Sequence, residues 1–377
     1  MTGPLLFTPF ALRGITLRNR VVLSPMCQYA AEEGRITDWH LLHHGKYATG
    51  GLGLAFVEAT AVTREGRITH GCTGLWEDSQ IEGMRRIVEL YHRFGAKVAI
   101  QLNHAGRKGS TERPWDGAGP IPPRAAEGPW ETVAPSPLPA RPGWPVPREL
   151  RAEEIPAIIA AFRVAARRAL AAGFDIVEIH GAHGYLLHSF VSPLANRRTD
   201  AWGGDLARRM RLPLLVAEAV REVWPADRPL FYRCSVLDGA EGGSTLEESA
   251  ALARELKARG VDVFDCSSGG MLSSATLGTL HPGPGFQVPL ARAMRQMAGM
   301  PTMAVGFITE AQQAEAILRE GSADLIAIGR ELIADPYWAY HAALALGAPD
   351  PHALLPRGYA FYLARRAALV RPSPAAA

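Results

Sequence analysis

The sequence predicts an α/β fold, a single (β/α)8 TIM barrel of parallel strands with a long loop insertion after the third strand. Eight apolar, strand-like runs alternate with stretches of helical periodicity, which is the pattern of repeated strand–helix units. The length of 377 residues suits one such barrel with insertions. Polar residues and glycines follow most of the runs, at the end of the strands where barrels of this class hold their functional groups.

Periodicity places strands and helices in alternation. The predicted strands are Val21–Ser24, Leu54–Thr60, Val98–Leu102, Ile176–His180, Leu230–Cys234, Val263–Ser267, Thr302–Val305 and Leu325–Ile328. The predicted helices are Ser79–Phe94, Glu153–Ala172, Leu206–Val223, Leu246–Arg259, Glu310–Glu320 and Glu331–Leu346. The segment Gly106–Pro147 is rich in Pro, Gly and Trp, and we expect it to cross the top face of the barrel. The barrel should fill residues 1–364, and residues 365–377 should form a flexible tail.

The composition of the chain excludes several classes of function. Hydrophobic residues make up 47% of the chain and charged residues 20%, which is typical of a soluble globular protein. The formal charge of +3 is too small to indicate a nucleic-acid partner. The sequence has no apolar run of the roughly 18 residues that a membrane span needs. Arginines interrupt the N-terminal segment, so we expect no secretion signal and a cytoplasmic protein.

The four cysteines do not have the spacing of a metal or iron–sulfur site, and we expect no metal. Cys234 and Cys266 lie in apolar strands and are expected to be small core residues. Cys27 differs because it follows the end of the first strand, just after Pro25, at the end of the barrel where a site is expected.

The stretch from Glu178 to Tyr185 is the main candidate functional site. Alternate residues of a strand face opposite ways, so Glu178 and His180 are expected to look into the barrel mouth. The strand then breaks, and His183 and Tyr185 follow it. Two imidazoles and a phenol could hold a carbonyl oxygen and deliver a proton. The alternative is a polar loop whose histidines satisfy local backbone groups.

Glycines at two neighbouring strand ends indicate a phosphate site. Gly329 and Arg330 follow the eighth strand and precede a predicted helix. The glycine lets the backbone approach a phosphate, the arginine supplies a fork of donors, and the helix start adds partial positive charge. Gly306 offers a second close approach after the seventh strand, where barrel phosphate sites occur. The alternative is that each glycine simply ends its strand.

Two further polar residues lie in the predicted strands. Arg233 in the fifth strand could stabilise negative charge on a bound ring, or it could form a structural ion pair. Gln101 in the third strand can donate and accept, which suits an imide edge such as that of a flavin. The strand ends show no pair of inward carboxylates, which argues against a glycosidase.

These motifs together resemble the old yellow enzyme family. The resemblance is carried by Ser24–Tyr29, by Gln101 with His104–Lys108, by His180–Tyr185, and by Asn196–Asp200 with Gly203 and Gly204. The cysteine at position 27, where other branches have threonine, resembles the branch of bacterial xenobiotic reductases and thermophilic-like ene reductases. The similarity extends from about Leu6 to Tyr362, nearly the whole chain.

The resemblance implies an FMN-dependent enzyme that oxidises NADPH or NADH and reduces activated C=C bonds of α,β-unsaturated carbonyl compounds in a ping-pong sequence. It implies that FMN is bound tightly but non-covalently by Ser24, Pro25, Met26, Cys27, Ala59, Gln101, Arg233, Val305, Gly306, Gly329 and Arg330. His180 and His183 would hold the substrate carbonyl oxygen, and Tyr185 would supply the proton. Tyr29 would line the pocket, and Cys27 would tune the flavin.

The resemblance also implies a homodimer or a dimer-built homotetramer, with Tyr362 near a partner's site. The basic residues Arg107, Lys108 and Arg113 could favour the 2′-phosphate of NADPH, or they could be solvated surface charges.

Three rival interpretations remain from the sequence. A metal-dependent barrel hydrolase could use His180 and His183 as ligands, but it needs strand-end carboxylates. A barrel could bind flavin without turnover, although an intact Tyr185 argues against that. The barrel half of a dienoyl-CoA reductase would need an iron–sulfur cysteine cluster and a following dinucleotide domain, and the sequence contains neither.

Overall fold

The computed structural model describes residues 3–272 and 282–370, and within them eight parallel strands close into a barrel. The predicted fold class is therefore confirmed. The barrel strands in chain order are β1 (Val21–Leu23), β2 (Leu54–Ala61), β3 (Lys97–Asn103), β4 (Ile176–Gly181), β5 (Leu230–Ser235), β6 (Val263–Ser267), β7 (Thr302–Ala304) and β8 (Leu325–Ile328). Neighbours in this order pair in parallel, and β8 pairs with β1 to close the barrel.

Helices follow most of the strands along the chain. They are α1 (Asp38–Ala48), α2 (Ile81–Arg93), α3 (Ile155–Ala172), α4 (Leu186–Val191), α5 (Leu206–Arg221), α6 (Leu246–Ala258), α7 (Val288–Ala298), α8 (Ala311–Arg319), α9 (Arg330–Ala334), α10 (Trp338–Ala345) and α11 (Arg357–Val370). The predicted helices did not include α1, α4, α7 or α11. α1 buries three histidines where an amphipathic helix normally carries apolar residues, and α4 has only 6 residues. α7 has Pro289 in its first turn, a residue that breaks helix interiors.

The predicted helix Glu331–Leu346 is wrong, because the structure has the two helices α9 and α10 in its place. Asp335 between them is extended, with φ −131° and ψ 91°. Pro336 follows it, and a proline disfavours the helical conformation in the residue before it.

The C-terminal helix α11 continues past the predicted end of the barrel. It runs to Val370, whereas the flexible tail was predicted to begin at Arg365. None of the α11 residues is buried, and Tyr362 is 72% exposed. Residues 371–377 of the predicted tail lie outside the described residues.

The barrel interior has an apolar lower layer and a polar upper layer. The buried apolar cluster contains Leu12, Leu17, Val22, Leu54, Phe56, Ala99, Ile176, Phe231, Val263, Met303, Leu325 and Ala327. Leu12 and Leu17 come from a hairpin that precedes β1. In β4, Ile176 belongs to this cluster while Val177 and Ile179 pack in the outer core, as the alternation of a strand requires. The apolar layer supports the polar groups above it.

The segment between β3 and α3 reaches the barrel mouth, as predicted. It contains a short parallel pair of strands, Val133–Ala134 and Arg148–Glu149. The ring of Trp115 packs edge-on against Tyr29 with centroids 5.8 Å apart, and Arg113 Nε donates to the Tyr29 carbonyl at 2.9 Å. This insertion therefore forms part of the wall around the loop after β1.

Among the described helices, none has the length and apolar character that crossing a membrane requires.

Candidate active site

Four polar side chains form a layer inside the barrel above the apolar cluster. They are Gln101, Glu178, Arg233 and Asp265, each at most 7% exposed. Gln101 Nε2 donates to Glu178 Oε1 at 2.8 Å, and Arg233 Nε lies 3.2 Å from Asp265 Oδ2. The prediction that no carboxylate pair faces inward is wrong. Asp265 was missed, although a single acidic residue inside an apolar strand is a signal for an inward charge.

Arg233 balances the negative charge of this layer. Burial raises the pKa of Glu178 and of Asp265, and the Arg233 guanidinium acts against both rises. Arg233 Nη1 also donates to Ser24 Oγ, at 3.4 Å. Arg233 therefore forms the structural ion pair that the sequence left open, and it also lines the cavity described below.

The turn after β4 brings His180, His183 and Tyr185 together. The ring centroid of His180 lies 5.1 Å from that of His183 and 5.0 Å from that of Tyr185. His183 has φ 62°, a left-handed conformation that costs energy in a non-glycine residue, and Gly184 has φ 75°. A side chain at position 184 would collide with the carbonyl of Gly270. The glycine is therefore required for the tight turn that joins the three rings.

Both imidazoles of this cluster are neutral near pH 7. The pKa of His180 and that of His183 both lie well below the ordinary value of 6.5. Burial is the larger cause, and the positive charge of Arg233 is the next. His180 Nδ1 accepts the Ala182 N–H at 3.3 Å. Its ring proton is therefore on Nε2, which can donate to a ligand oxygen. His183 Nε2 lies 2.7 Å from Ser267 Oγ.

The phenol and the thiol of the site keep their protons. Burial raises the pKa of Tyr185 well above 10, and burial also raises the pKa of Cys27 well above 9. Cys27 is therefore a thiol rather than a thiolate nucleophile. Glu58 Oε2 accepts the Gln28 N–H at 2.8 Å, which fixes the turn that carries Cys27 and Tyr29.

A cavity of about 720 Å³ opens at the carboxyl ends of the strands, which is in the range of small-molecule sites. The predicted residues that line it are Met26, Tyr29, His183, Arg233, Val305, Gly306, Gly329 and Arg330. The predicted residues outside this lining are Ser24, Pro25, Cys27, Ala59, Gln101, His180 and Tyr185. Three of them lie against lining residues, since His180 and Tyr185 adjoin His183 and Ser24 Oγ accepts from Arg233.

The lining includes residues that the sequence did not single out, among them Pro114, Ser267, Phe286, Gln287 and Phe307. Gln287 and Phe286 precede α7, a helix that was not predicted, so they had no strand-end signal. Phe307 directly follows Gly306, and its position next to a candidate glycine could have identified it.

One end of the cavity suits a phosphate group. Gly306 has φ 121°, and a side chain there would crowd Phe286 and Gln287. The Arg330 guanidinium lies 4.6 Å from the centroid of the Phe307 ring, and within residues 3–272 and 282–370 it forms no ion pair. An oriented arginine without a carboxylate partner, beside two glycines, fits a flavin phosphate. α9 has only 5 residues, so the helix start contributes less than the predicted long helix would.

The basic loop after β3 is mostly internal rather than solvated. Arg107 is 3% exposed and donates to the carbonyl of Met271 at 3.0 Å. Lys108 Nζ donates to the carbonyls of His183 and Gly270 at 2.7 and 2.8 Å. The two side chains are therefore occupied, and the suggestion that they favour the NADPH 2′-phosphate is not supported. Lys108 instead joins the turn after β4 to the loop after β6.

The mouth of the barrel thus suits a flavin phosphate at one end and a carbonyl compound at the other, which defines the class of flavin-dependent barrel oxidoreductases. The chain belongs to the NADH:flavin oxidoreductase / NADH oxidase family, which it matches over residues 5–347. It is 44% identical over 345 residues to an NADPH dehydrogenase of Geobacillus sp. (strain WCH70), with 91% of this chain and 95% of that protein covered.

Solved structures agree with this assignment. The old yellow enzyme homologue from Zymomonas mobilis matches with a TM-score of 0.74 and 27% identity, covering 95% of this chain and 99% of that one. A 2-naphthoyl-CoA reductase matches with a TM-score of 0.81 and 27% identity over 92% of this chain. This chain spans about half of that reductase, 53% of its length. The resemblance to old yellow enzymes is confirmed, and the protein is an FMN-dependent oxidoreductase that uses a reduced nicotinamide.

Substituting Lys108 by Met should remove a pH-dependent part of the stability. Burial lowers the pKa of Lys108 to about 7, whereas an unfolded lysine titrates near pH 10.4. Between these values the unfolded chain binds a proton that the folded protein has released, so stability rises with pH. The free energy of unfolding of the parent should therefore increase relative to that of Lys108→Met between about pH 7 and pH 9, measured by chemical denaturation.

Lys257→Met is the matched control for this experiment. Lys257 also donates to a backbone carbonyl, that of Gly299, but it is exposed on α6. Its difference from the parent should stay constant across the same pH range. A constant difference for Lys108→Met as well would show that the Lys108 ammonium is not perturbed by burial.

Proposed function

We propose that the protein is an ene reductase, which reduces the activated C=C bond of α,β-unsaturated carbonyl compounds at the expense of NADPH. The observation that carries this proposal is the cluster of two neutral imidazoles and a protonated phenol at the end of β4. Such a cluster can bind the carbonyl oxygen of an unsaturated carbonyl compound and protonate its α-carbon after hydride has added to the β-carbon. The relatives named NADPH dehydrogenase support NADPH as the reductant.

The residues around the cavity fit FMN. Gly306, Gly329 and Arg330 would hold its phosphate, and Arg233 would face the side of the ring where negative charge collects. Met26 and Val305 would give apolar contact, and Gln101, which lies behind the lining and is oriented by Glu178, would offer its amide to the imide edge. When bound, FMN supplies hydride transfer between nicotinamide and substrate in a ping-pong sequence.

The chain's own residues would then perform two tasks at the substrate. His180 Nε2–H and a ring N–H of His183 would donate to the carbonyl oxygen, where negative charge builds up during hydride addition. Both rings are neutral, so this stabilisation comes from oriented dipoles and needs no charged histidine. Tyr185 Oη–H would donate the proton to the α-carbon of the substrate, and its raised pKa keeps that proton in place until then.

The metal-dependent hydrolase loses support. Within residues 3–272 and 282–370, no three His, Cys, Asp or Glu side chains are grouped so that they could hold a metal ion. The carboxylates near the site have other partners: Glu178 accepts from Gln101, and Asp265 pairs with Arg233. Flavin absorbance of the purified protein would argue against a metal-dependent hydrolase. Bleaching by NADPH without oxygen would argue against a flavin barrel without turnover.

Arg330→Ala should weaken FMN binding by about one to two decades, because a charge-assisted contact contributes roughly 1.5–3 kcal/mol. The measurement is the FMN dissociation constant of the reconstituted protein by fluorescence titration. Arg254→Ala, a change of an exposed arginine on α6, should keep the parental affinity. Equal FMN affinity in parent and Arg330→Ala would mean that the phosphate lies elsewhere.

The substitution Tyr185→Phe keeps the aromatic ring and removes the hydroxyl group that carries the proton. We expect anaerobic reduction of the enzyme by NADPH to proceed at nearly the parental rate. Reoxidation by cyclohexenone should slow by about 10²–10⁴, the range that a general acid typically contributes. Stopped-flow absorbance separates these two half-reactions.

Reoxidation of this variant by oxygen is the internal control, because oxygen needs no carbonyl clamp and should react at about the parental rate. An equal slowing of both half-reactions, or no slowing of either, would mean that Tyr185 is a pocket wall or that water supplies the proton.

We also expect a homodimer or dimer-built homotetramer. The helix α11 supports this, because it buries none of its residues within the described chain and exposes Tyr359, Phe361 and Tyr362. A chain ended before Leu355 should change both its mass in light scattering and its substrate preference, and a chain ended after Val370 serves as the control. A shortened chain that remains catalytically normal as a monomer would contradict the expectation.

A further inference from the structure

The backbone of the turn that carries His183 is held by four side chains from other elements, Ser235, Lys108, His188 and Ser189. Ser235 Oγ accepts the His183 N–H at 3.0 Å, and Lys108 Nζ donates to the His183 carbonyl at 2.7 Å. His188 Nδ1 accepts the Gly184 N–H at 2.9 Å. The left-handed conformation of His183 persists only if its surroundings enforce it. Ser189 Oγ also donates to the Gly184 carbonyl at 3.0 Å, and together these four contacts hold the turn in that conformation.

His188 belongs to a buried chain of hydrogen bonds. Its Nδ1 accepts from Gly184, so its ring proton is on Nε2, which donates to Asp238 Oδ1 at 2.7 Å. Asp238 Oδ2 accepts from Ser192 Oγ at 2.6 Å and from the Ser244 N–H at 2.9 Å. Both the His188 ring and the Asp238 carboxylate are buried, with His188 2% and Asp238 3% exposed.

We propose that His188, with its tautomer set by Asp238, is a positioning residue that fixes the turn from which His183 and Tyr185 reach the substrate. This inference rests on the proposed function, because it assigns His188 a role through the carbonyl-binding His183. A carboxylate can only accept hydrogen bonds, so Asp238 forces the His188 proton onto Nε2 and leaves Nδ1 free for Gly184. Burial alone would raise the pKa of Asp238, but its hydrogen bonds from His188, Ser192 and Ser244 outweigh burial and keep it ionised.

Asp238→Asn tests this logic without changing the shape of the side chain. The Ser244 N–H can only donate, so the amide oxygen of the new Asn should take the place of Oδ2 and its NH2 group should face His188. The NH2 then donates to Nε2, and the ring proton moves to Nδ1, as happens when Asn replaces the carboxylate partner of a catalytic histidine. Two donors, Nδ1–H and the Gly184 N–H, would then face each other. The hydrogen bond from the Gly184 N–H to His188 would then be lost, and the turn should no longer be fixed at this point.

The readouts are the ¹⁵N shifts of the His188 ring in the FMN-loaded enzyme and its affinity for phenol, measured by the change in flavin absorbance. We expect Asp238→Asn to reverse the His188 tautomer and to weaken phenol about ten-fold, the effect of an unsatisfied buried donor. Ser192→Ala is the matched control, because it also removes a contact of Asp238 but leaves a carboxylate facing His188. It should keep both the tautomer and the affinity.

If Asp238→Asn folds poorly, a second pair of variants tests the positioning role of His188. His188→Asn retains an oxygen near the position of Nδ1 and should keep more phenol affinity than His188→Leu. A reversed tautomer with parental phenol affinity, or equal losses in the two His188 variants, overturns the inference. His183→Ala in the same assay separates this failure from that of the proposed function. Parental phenol affinity in His183→Ala would refute the carbonyl clamp itself, and with it the role of His188.

Discussion

The buried charge of Arg233 is the interaction on which the site depends. It lies between the apolar layer of the barrel and the open cavity, paired with Asp265 and lining the surface where FMN would bind. Its charge offsets the cost of the two buried carboxyls Glu178 and Asp265. The same charge helps to keep His180 and His183 neutral. A single guanidinium thus allows an acidic layer below the cavity and neutral donors beside it.

In this barrel, the residues that would contact substrate and the residues that hold them in position lie on different elements. The groups that would contact substrate project from a turn after β4, while the groups that hold this turn come from other parts of the chain. Lys108 follows β3, Ser235 ends β5, and His188 lies in α4. This arrangement explains why a histidine can occupy a left-handed position there. The apolar layer below, closed by the hairpin before β1, gives the strands a rigid base.

Much of the fold was predictable because the barrel strands are buried apolar runs with a clear period. The His180–Tyr185 cluster was predictable because its polar residues follow the end of a strand. The pairing of Asp265 was not predictable, since one charged residue in an apolar strand signals an inward charge but does not reveal its partner Arg233 on the neighbouring strand β5. α1 was missed because its buried face carries histidines. The internal role of Lys108 depends on carbonyls of residues 183 and 270, which lie far apart in the sequence and meet only in the folded barrel.

The central claim is that His180 and His183 donate to one oxygen, and a double-mutant cycle on phenol binding tests it most directly. The FMN-loaded parent, His180→Ala, His183→Ala and the double variant are titrated with phenol. Each single change should weaken binding by roughly ten-fold, the effect of removing one hydrogen bond to a buried oxygen. The double variant should deviate from the product of the single effects, because the two donors share one acceptor. Unchanged phenol affinity in both single variants would contradict the account.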